Sequence, residues 1–131
     1  MAAVEEQFRR MAFNTAARNQ DNHVKNIAFL MNQQGGWALA PTYDMIYGYN
    51  TAGAWTATHQ MTMNGKRNGF VLADFEPCAK SALMKRGRAR AILGEVQTAI
   101  MRWAEFAATA KLSDDWRDTI ARNHRRFFAE K

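Results

Sequence analysis

Apolar residues recur at helical spacing at the start of the chain and again in its second half, with a more irregular stretch between. Residues 4–18 show the first such pattern, and their charged side chains fall mostly on the opposite side. The positions that share the apolar side are Val4, Phe8, Met11 and Thr15. Because residues three and four positions apart lie on one face of a helix, this stretch predicts an amphipathic helix.

A pair of short apolar runs follows, at residues 27–31 and 37–40, separated by a turn rich in asparagine, glutamine and glycine. Glycine supplies the positive φ that a tight turn requires, so the pattern predicts a β-hairpin over residues 27–40. Pro41 cannot donate a hydrogen bond to a neighbouring strand, and it is expected to end the second strand.

The stretch from residue 48 to 69 is punctuated by glycine and asparagine and is predicted to be irregular. Within it, residues 60–63 are predicted to form a short strand before a turn at Asn64 and Gly65. Three closely spaced aromatic residues come around its start, and we expect them to fill the core rather than to stack on nucleic-acid bases. They are Tyr43, Tyr47 and Tyr49.

Helical periodicity returns in the second half of the chain. It predicts a short helix over residues 72–83, a long helix with an apolar stripe over residues 89–106, and a last helix that begins after an N-cap at Ser113. The residues that the last helix is expected to bury are Trp116, Ile120, Phe127 and also His124. The predicted fold class is therefore mainly α (α+β), with a helical scaffold over residues 72–128 and one small hairpin.

Composition narrows the class of protein without naming a function. A chain of 131 residues with 47% hydrophobic and 23% charged residues suits one globular domain, residues 1–131. The formal net charge of +6 favours anionic partners. Cys78 is the single cysteine, which excludes a disulfide framework and fits a reducing cytoplasm. We expect no signal peptide and no membrane span, because no apolar run is long enough.

Polar chemistry is concentrated in the loop at residues 19–26, which holds an acid, an imidazole, an amine and several amides. A hairpin brings its two ends close together, so Asp21, Asn26 and Asp44 are predicted to share one site. Carboxylate and amide oxygens are ligands that Mg²⁺ accepts, and a carboxylate can orient a hydroxyl nucleophile for phosphoryl transfer. A zinc site is not expected, because the only three histidines are far apart in the sequence.

The motifs Asn19-x-Asp21-x-His23-x-Lys25-Asn26 and Leu39-Ala40-Pro41-x-Tyr43-Asp44 resemble the catalytic core of the HipA family, and the resemblance continues through Asn64-Gly65-Lys66. It implies that Asp21 is the catalytic base, that Asn26 and Asp44 bind magnesium, and that His23 lies near the transferred phosphate. Asn19 and Lys25 are predicted to contact the nucleotide; a solvated surface lysine is the alternative for Lys25.

Members of this family are bacterial serine/threonine kinase toxins of type II toxin–antitoxin systems. The resemblance therefore implies a kinase-like C-terminal lobe that uses Mg²⁺ and ATP to phosphorylate a protein. It also implies an antitoxin-type regulator as a partner, a weak or indirect DNA contact, and a cytoplasmic location. The irregular stretch would correspond to an activation segment, which makes Trp55 and Thr56 candidates for contact with a peptide substrate.

The nucleotide half of a kinase site is not found in the sequence. None of the eight glycines forms G-x-G-x-x-G, and no strand before Asp21 is predicted to carry an ATP-binding lysine. We therefore expect the chain to resemble only the C-terminal lobe and to bind Mg-ATP weakly or not at all by itself.

A non-catalytic binding module that contacts a regulator or DNA is the alternative function. It draws on two basic clusters, residues 85–90 and the group Arg122, Arg125 and Arg126. Short runs of lysine and arginine are typical of nucleic-acid contacts. A solvated helix face is the preferred interpretation of both clusters, since each lies on or beside a predicted helix.

Overall fold

The computed structural model describes residues 1–127, in which the α-helices outweigh one small antiparallel sheet. The α-helices are α1 (Ala2–Ala16), α2 (Phe75–Ser81), α3 (Arg88–Met101), α4 (Trp103–Thr109) and α5 (Asp114–Asn123). The strands are β1 (Phe29–Met31) and β2 (Trp37–Leu39), and two short 3₁₀ helices span Val24–Asn26 and Leu72–Asp74. The predicted mainly α architecture with one hairpin is confirmed.

The core lies where α1 packs on α3. The residues that these two helices bury are Phe8, Ala12 and Ala16 from α1 and Ile92, Leu93, Val96 and Ile100 from α3. Phe75 of α2 is 1% exposed and meets the rings of Phe8 and Phe127 edge-on, with centroids 6.2 Å and 4.9 Å away. Because α1 is held on this core, the polar loop that follows it starts from a fixed point.

The hairpin has the predicted position, and the structure defines its register. Phe29 pairs with Leu39 and Met31 pairs with Trp37 in an antiparallel ladder. Gly35 adopts a φ of 79° in the turn, a left-handed conformation that glycine reaches without a Cβ clash. The second strand ends before Pro41, as expected of a residue that has no backbone N–H.

The long helix predicted over residues 89–106 is divided in two. Arg102 separates α3 from α4, with φ −84° and ψ 11° outside the helical range. Directly after this break, Trp103 donates from its indole Nε1 to the Arg117 carbonyl of α5 at 2.9 Å and packs edge-on against His124. The break thus coincides with a contact between Trp103 and α5, which a single periodic stripe does not show.

Two further predictions about packing and strands are wrong. Trp116 is 56% exposed, and Ile120 is the buried residue of α5. Residues 60–63 do not form a strand; a single bridge joins Met63 to Lys66 around the Asn64-Gly65 turn. The end of the predicted scaffold, Phe128, lies outside the described residues.

None of the helices between residues 1 and 127 combines the length and the apolar character needed to cross a lipid bilayer.

A buried carboxylate fastens the 64–66 turn to the start of α2. Asp74 accepts hydrogen bonds from Asn64 Nδ2 at 2.9 Å and from the Val71 backbone N–H at 2.8 Å, and Lys66 Nζ lies 2.7 Å away. The hydrogen bond from Lys66, followed by the one from Val71, lowers the pKa of Asp74 to about 2.

Asp74→Asn is expected to lower the thermal unfolding temperature by a few degrees at neutral pH, because the charged partner of Lys66 is lost. A depressed carboxyl pKa stabilises the fold above the ordinary pKa of about 3.8, and this contribution disappears as pH falls toward about 2. Unfolding scans between pH 7 and pH 2 should therefore show wild type and Asp74→Asn converging at low pH. The exposed Asp115→Asn variant is the control, and an equal gap at pH 2 and pH 7 would contradict the assignment.

Candidate active site

The candidate catalytic loop begins where α1 ends in a left-handed turn. Arg18 adopts a φ of 61°, in the position where glycine usually ends a helix. The Asn19 backbone N–H then donates to the Asn14 carbonyl at 2.9 Å, and the Ala17 N–H donates to the Phe13 carbonyl at 2.8 Å. These bonds satisfy the last carbonyls of α1 and direct the chain away from the helix axis.

Two amide side chains hold the loop in place from inside the protein. Asn19 is 2% exposed, and its Nδ2 donates to Asn14 Oδ1 at 3.0 Å and to the Asp44 carbonyl at 2.9 Å. Gln20 is fully buried, and its Nε2 donates to the Thr56 carbonyl at 2.7 Å. The structure therefore gives Asn19 internal partners; its predicted contact with the nucleotide stays a prediction.

Asn26 and Asp44 are in direct contact although 18 positions separate them. Asn26 Nδ2 donates to Asp44 Oδ2 at 2.6 Å, and Asn26 Oδ1 accepts from the His23 backbone N–H at 3.0 Å. The hairpin produces this contact because its two strands return the chain to the loop. Asp44 has a φ of 57°, and its carbonyl is held by Asn19, so the backbone on both sides of the pair is fixed.

Asp21 lies beside the segment that follows Asp44. A Cβ placed on Gly48 would stand 3.5 Å from the Asp21 Cβ, and the Gly48 N–H donates to the Arg18 carbonyl at 3.1 Å. The half-buried Asp21 carboxylate has no hydrogen-bond partner within residues 1–127. Asp21 thus lies near the segment that follows the hairpin, but no hydrogen bond joins its carboxylate to Asn26 or Asp44.

The other predicted site residues differ in exposure. His23 is half-buried, and its Nδ1 is shielded from water with no partner in the described part of the chain. Lys25 is exposed, and its backbone carbonyl accepts a hydrogen bond from the Tyr43 hydroxyl at 2.6 Å. Tyr43 is 45% exposed, so the prediction that it fills the core is wrong; its hydroxyl instead joins the loop to the segment before Asp44.

The oxygen atoms available at this site suit a hard cation. Asp44 supplies a carboxylate and Asn26 an amide oxygen, and Mg²⁺ usually takes one or two protein carboxylates and keeps several waters. The Nδ2 atom of Asn26 now faces Asp44, and its Oδ1 accepts from the His23 N–H. To bind a metal beside Asp44, the Asn26 amide group must therefore flip so that Oδ1 faces Asp44. Among residues 1–127, no three His, Cys, Asp or Glu side chains form a metal-binding group.

Sequence reasoning missed a network around Arg125, which it had placed on a solvated face. Arg125 Nη1 donates to the Thr15 carbonyl at 2.6 Å and lies 2.8 Å from His59 Nε2. Its Nη2 donates to Gln20 Oε1 at 3.2 Å and to Asn68 Oδ1 at 3.0 Å. Arg125 lies two positions beyond the last residue of α5, so helical periodicity carried no signal for this inward orientation.

His59 belongs to the same network and is buried against the edge of Phe70. Burial, followed by the nearby charge of Arg125, lowers the pKa of His59 to about 3. The imidazole is therefore neutral at physiological pH and can accept a hydrogen bond from Arg125. The network connects α1, the candidate catalytic loop and the irregular 48–69 stretch.

The first basic cluster is partly neutralised by acidic residues. Arg88 Nε lies 2.9 Å from Glu5 Oε2, and its Nη1 lies 3.4 Å from Glu95 Oε1. Neither of the two clusters predicted from the sequence is therefore a uniform, unpaired basic face.

Comparison with known proteins identifies the family. No curated protein sequence matches the chain at a significant level. The model of the HipA-like C-terminal domain matches residues 1–104, which include the loop, the hairpin, Asp44 and the core helices α1 and α3. Because this match covers most of the chain, the protein belongs to the family of HipA-like C-terminal domains.

Proposed function

We propose that this domain is the C-terminal catalytic lobe of a HipA-like protein serine/threonine kinase, which transfers the γ-phosphate of ATP to a protein hydroxyl. The observation that carries the proposal is the contact of Asn26 with Asp44 at 2.6 Å, directly after the loop that contains Asp21. Membership of the HipA-like family supports the same reaction class. The fold would then be the helical lobe of a kinase.

In this proposal each loop residue has one task. Asp21 orients the substrate hydroxyl and accepts its proton, since its carboxylate is not engaged by a neighbouring side chain. Asn26 and Asp44 hold Mg²⁺, which neutralises charge on the nucleotide phosphates when bound. His23 stands near the transferred phosphate, and Lys25 offers an exposed ammonium group to phosphate oxygens.

The remaining parts of the kinase active site are proposed to come from another polypeptide segment. A glycine-rich loop and an ATP-binding lysine would be supplied by a nucleotide-binding lobe, because neither pattern occurs in the 131 residues. A protein substrate and an antitoxin-type regulator are the proposed partners, and the cytoplasm is the proposed location.

Manganese binding tests the metal site in the chain as it stands, because Mn²⁺ replaces Mg²⁺ and broadens nearby amide signals in NMR spectra. Signals of Asn26, Asp44 and their neighbours are expected to broaden first, with a dissociation constant on the order of 1 mM for so few ligands. Asp44→Asn should weaken binding by about tenfold or more, since it removes the charged ligand. Asp115→Asn, an exposed carboxylate elsewhere, should leave binding unchanged.

Broadening centred away from Asn26 and Asp44, or retained in Asp44→Asn, would reject the metal site. Calorimetry with Mg-ATP provides a second measurement on the same chain. We expect little or no heat of binding, because the phosphate-covering loop is not among these residues. Micromolar affinity would show that the nucleotide site is assembled differently from the proposal.

A further inference from the structure

Two arginines beside the candidate catalytic loop converge on one neutral oxygen. Arg18 Nη1 donates to Gln20 Oε1 at 3.1 Å, and Arg125 Nη2 donates to the same atom at 3.2 Å. Two nitrogens that share one acceptor at these distances are at most about 6 Å apart. Two positive charges are therefore held close together behind the loop.

Neither charge has an acidic partner within residues 1–127. Within residues 1–127, Arg125 also bonds to Thr15, His59 and Asn68, all through neutral acceptors, and lies over the Phe70 ring at 5.3 Å. Arg18 bonds to the Asn123 carbonyl at 2.8 Å and lies over the Tyr49 ring at 4.5 Å. These contacts satisfy hydrogen bonds but leave two partly buried positive charges uncompensated, which is unfavourable.

Several other arginines have carboxylate partners. Arg9 lies 2.7 Å from Glu95, and Arg117 lies 2.6 Å from Asp114. By contrast, burial and then the charge of Arg18 lower the pKa of Arg125 to about 10. The neighbouring His59 is neutral and supplies no negative charge. A bound anion at the Arg18–Arg125 pair would therefore offset the repulsion between these two positive charges.

Hydrogen-bond donors remain for such an anion. A guanidinium group has five N–H donors, and Arg18 Nη2 and Arg125 Nε have no partner among the residues that the structure describes. Asn68, which accepts from Arg125 Nη2, is exposed, and both arginines are half-buried, so the network extends to the surface. Phosphate-type anions offer several oxygens to two guanidinium groups at once, which a single carboxylate matches less well.

We propose that Arg18 and Arg125 form a binding site for a phosphate-type oxyanion, either a free ion or a phosphate ester. This site is distinct from the metal ligands Asn26 and Asp44 and does not depend on the kinase proposal. Because Gln20 joins both arginines to the loop that carries Asp21, a bound anion would also hold that loop.

Thermal unfolding of the 131-residue chain tests the site, with sodium phosphate compared with sodium chloride at equal ionic strength. At ten times its dissociation constant, phosphate should raise the unfolding temperature by about 5 °C. The control variant Arg86→Gln, which removes an exposed charge, should respond like wild type. Arg18→Gln should lose the response, and Arg125→Lys should bind at least about tenfold more weakly, because lysine lacks the planar fork.

NMR signals of the Arg18 and Arg125 Nε–H groups give a second readout on the wild-type chain, which decides the matter if a variant fails to fold. Both signals should shift on phosphate addition. A response equal to that in chloride, or a full response in folded Arg18→Gln, would overturn the proposal. Phosphothreonine is titrated in parallel: tighter binding than inorganic phosphate assigns the site to an ester, and weaker binding assigns it to the free ion.

Discussion

Asp21→Asn is expected to lower the rate of phosphoryl transfer by about 10²–10⁴-fold in a kinase formed by this domain and a nucleotide-binding lobe. Asparagine keeps the size of the side chain but cannot accept the proton of the attacking hydroxyl. Because the Asp21 carboxylate has no hydrogen-bond partner within residues 1–127, its replacement breaks no hydrogen bond there. Transfer of labelled phosphate from ATP to protein, measured together with the unfolding temperature, checks both statements.

The matched control is Asp115→Asn, which changes an exposed acid in α5 and should retain full activity. A large loss of activity with an unchanged unfolding temperature assigns Asp21 to the reaction. Retained transfer in Asp21→Asn would end the assignment of this residue as the base, whatever the state of the metal site. The proposed base, Asp21, and the proposed metal site, Asn26 with Asp44, are thus tested by separate substitutions.

Arg125→Met is expected to destabilise the domain by about 3 kcal/mol, the largest effect on stability that we predict for a polar residue. Methionine has similar length, but it leaves the buried Thr15 carbonyl and His59 Nε2 without the Arg125 donor; Gln20 Oε1 keeps its hydrogen bond from Arg18, and Asn68 is exposed. Buried acceptors that lose a partner bear a desolvation cost of about 1–3 kcal/mol each, and two such losses outweigh the relief of repulsion with Arg18. Urea unfolding monitored by circular dichroism provides the measurement.

Arg126→Met is the neighbouring control, since Arg126 is exposed. It removes the same charge and should change the free energy of unfolding by less than about 0.5 kcal/mol. Equal destabilisation by the two substitutions would mean that net charge, rather than the inward network, determines the effect. Arg125 lies beyond residues 1–104, the part of the chain that matches the family model. A larger loss of stability in Arg125→Met than in Arg126→Met would therefore also show that the last part of the chain belongs to the folding unit.

Local patterns explain why much of the site was predictable. The hairpin follows from two apolar runs around a glycine-containing turn, and its closure places Asn26 against Asp44. The helix before the loop follows from its 3.6-residue period, although it ends at Ala16 rather than at residue 18. In each case the decisive interactions join residues that are close in sequence or connected by one tight turn.

Other features depend on contacts between distant segments. The predicted long helix breaks at Arg102, where Trp103 contacts Arg117 of α5, and Trp116 of α5 is exposed rather than buried. Tyr43 was expected in the core from its aromatic character, yet its hydroxyl bonds to the Lys25 carbonyl at the surface. Composition and spacing do not report which segment a side chain will face.

By itself, the sequence determined the mainly helical class, the hairpin and the family, because periodicity, turn residues and the loop motif are local properties of the chain. Only the tertiary structure decided that Asn19 and Gln20 face inward and that Arg125 reaches back to Gln20. Arg125 and Gln20 are 105 positions apart, so their contact exists only after α1, the irregular stretch and the end of α5 have packed together.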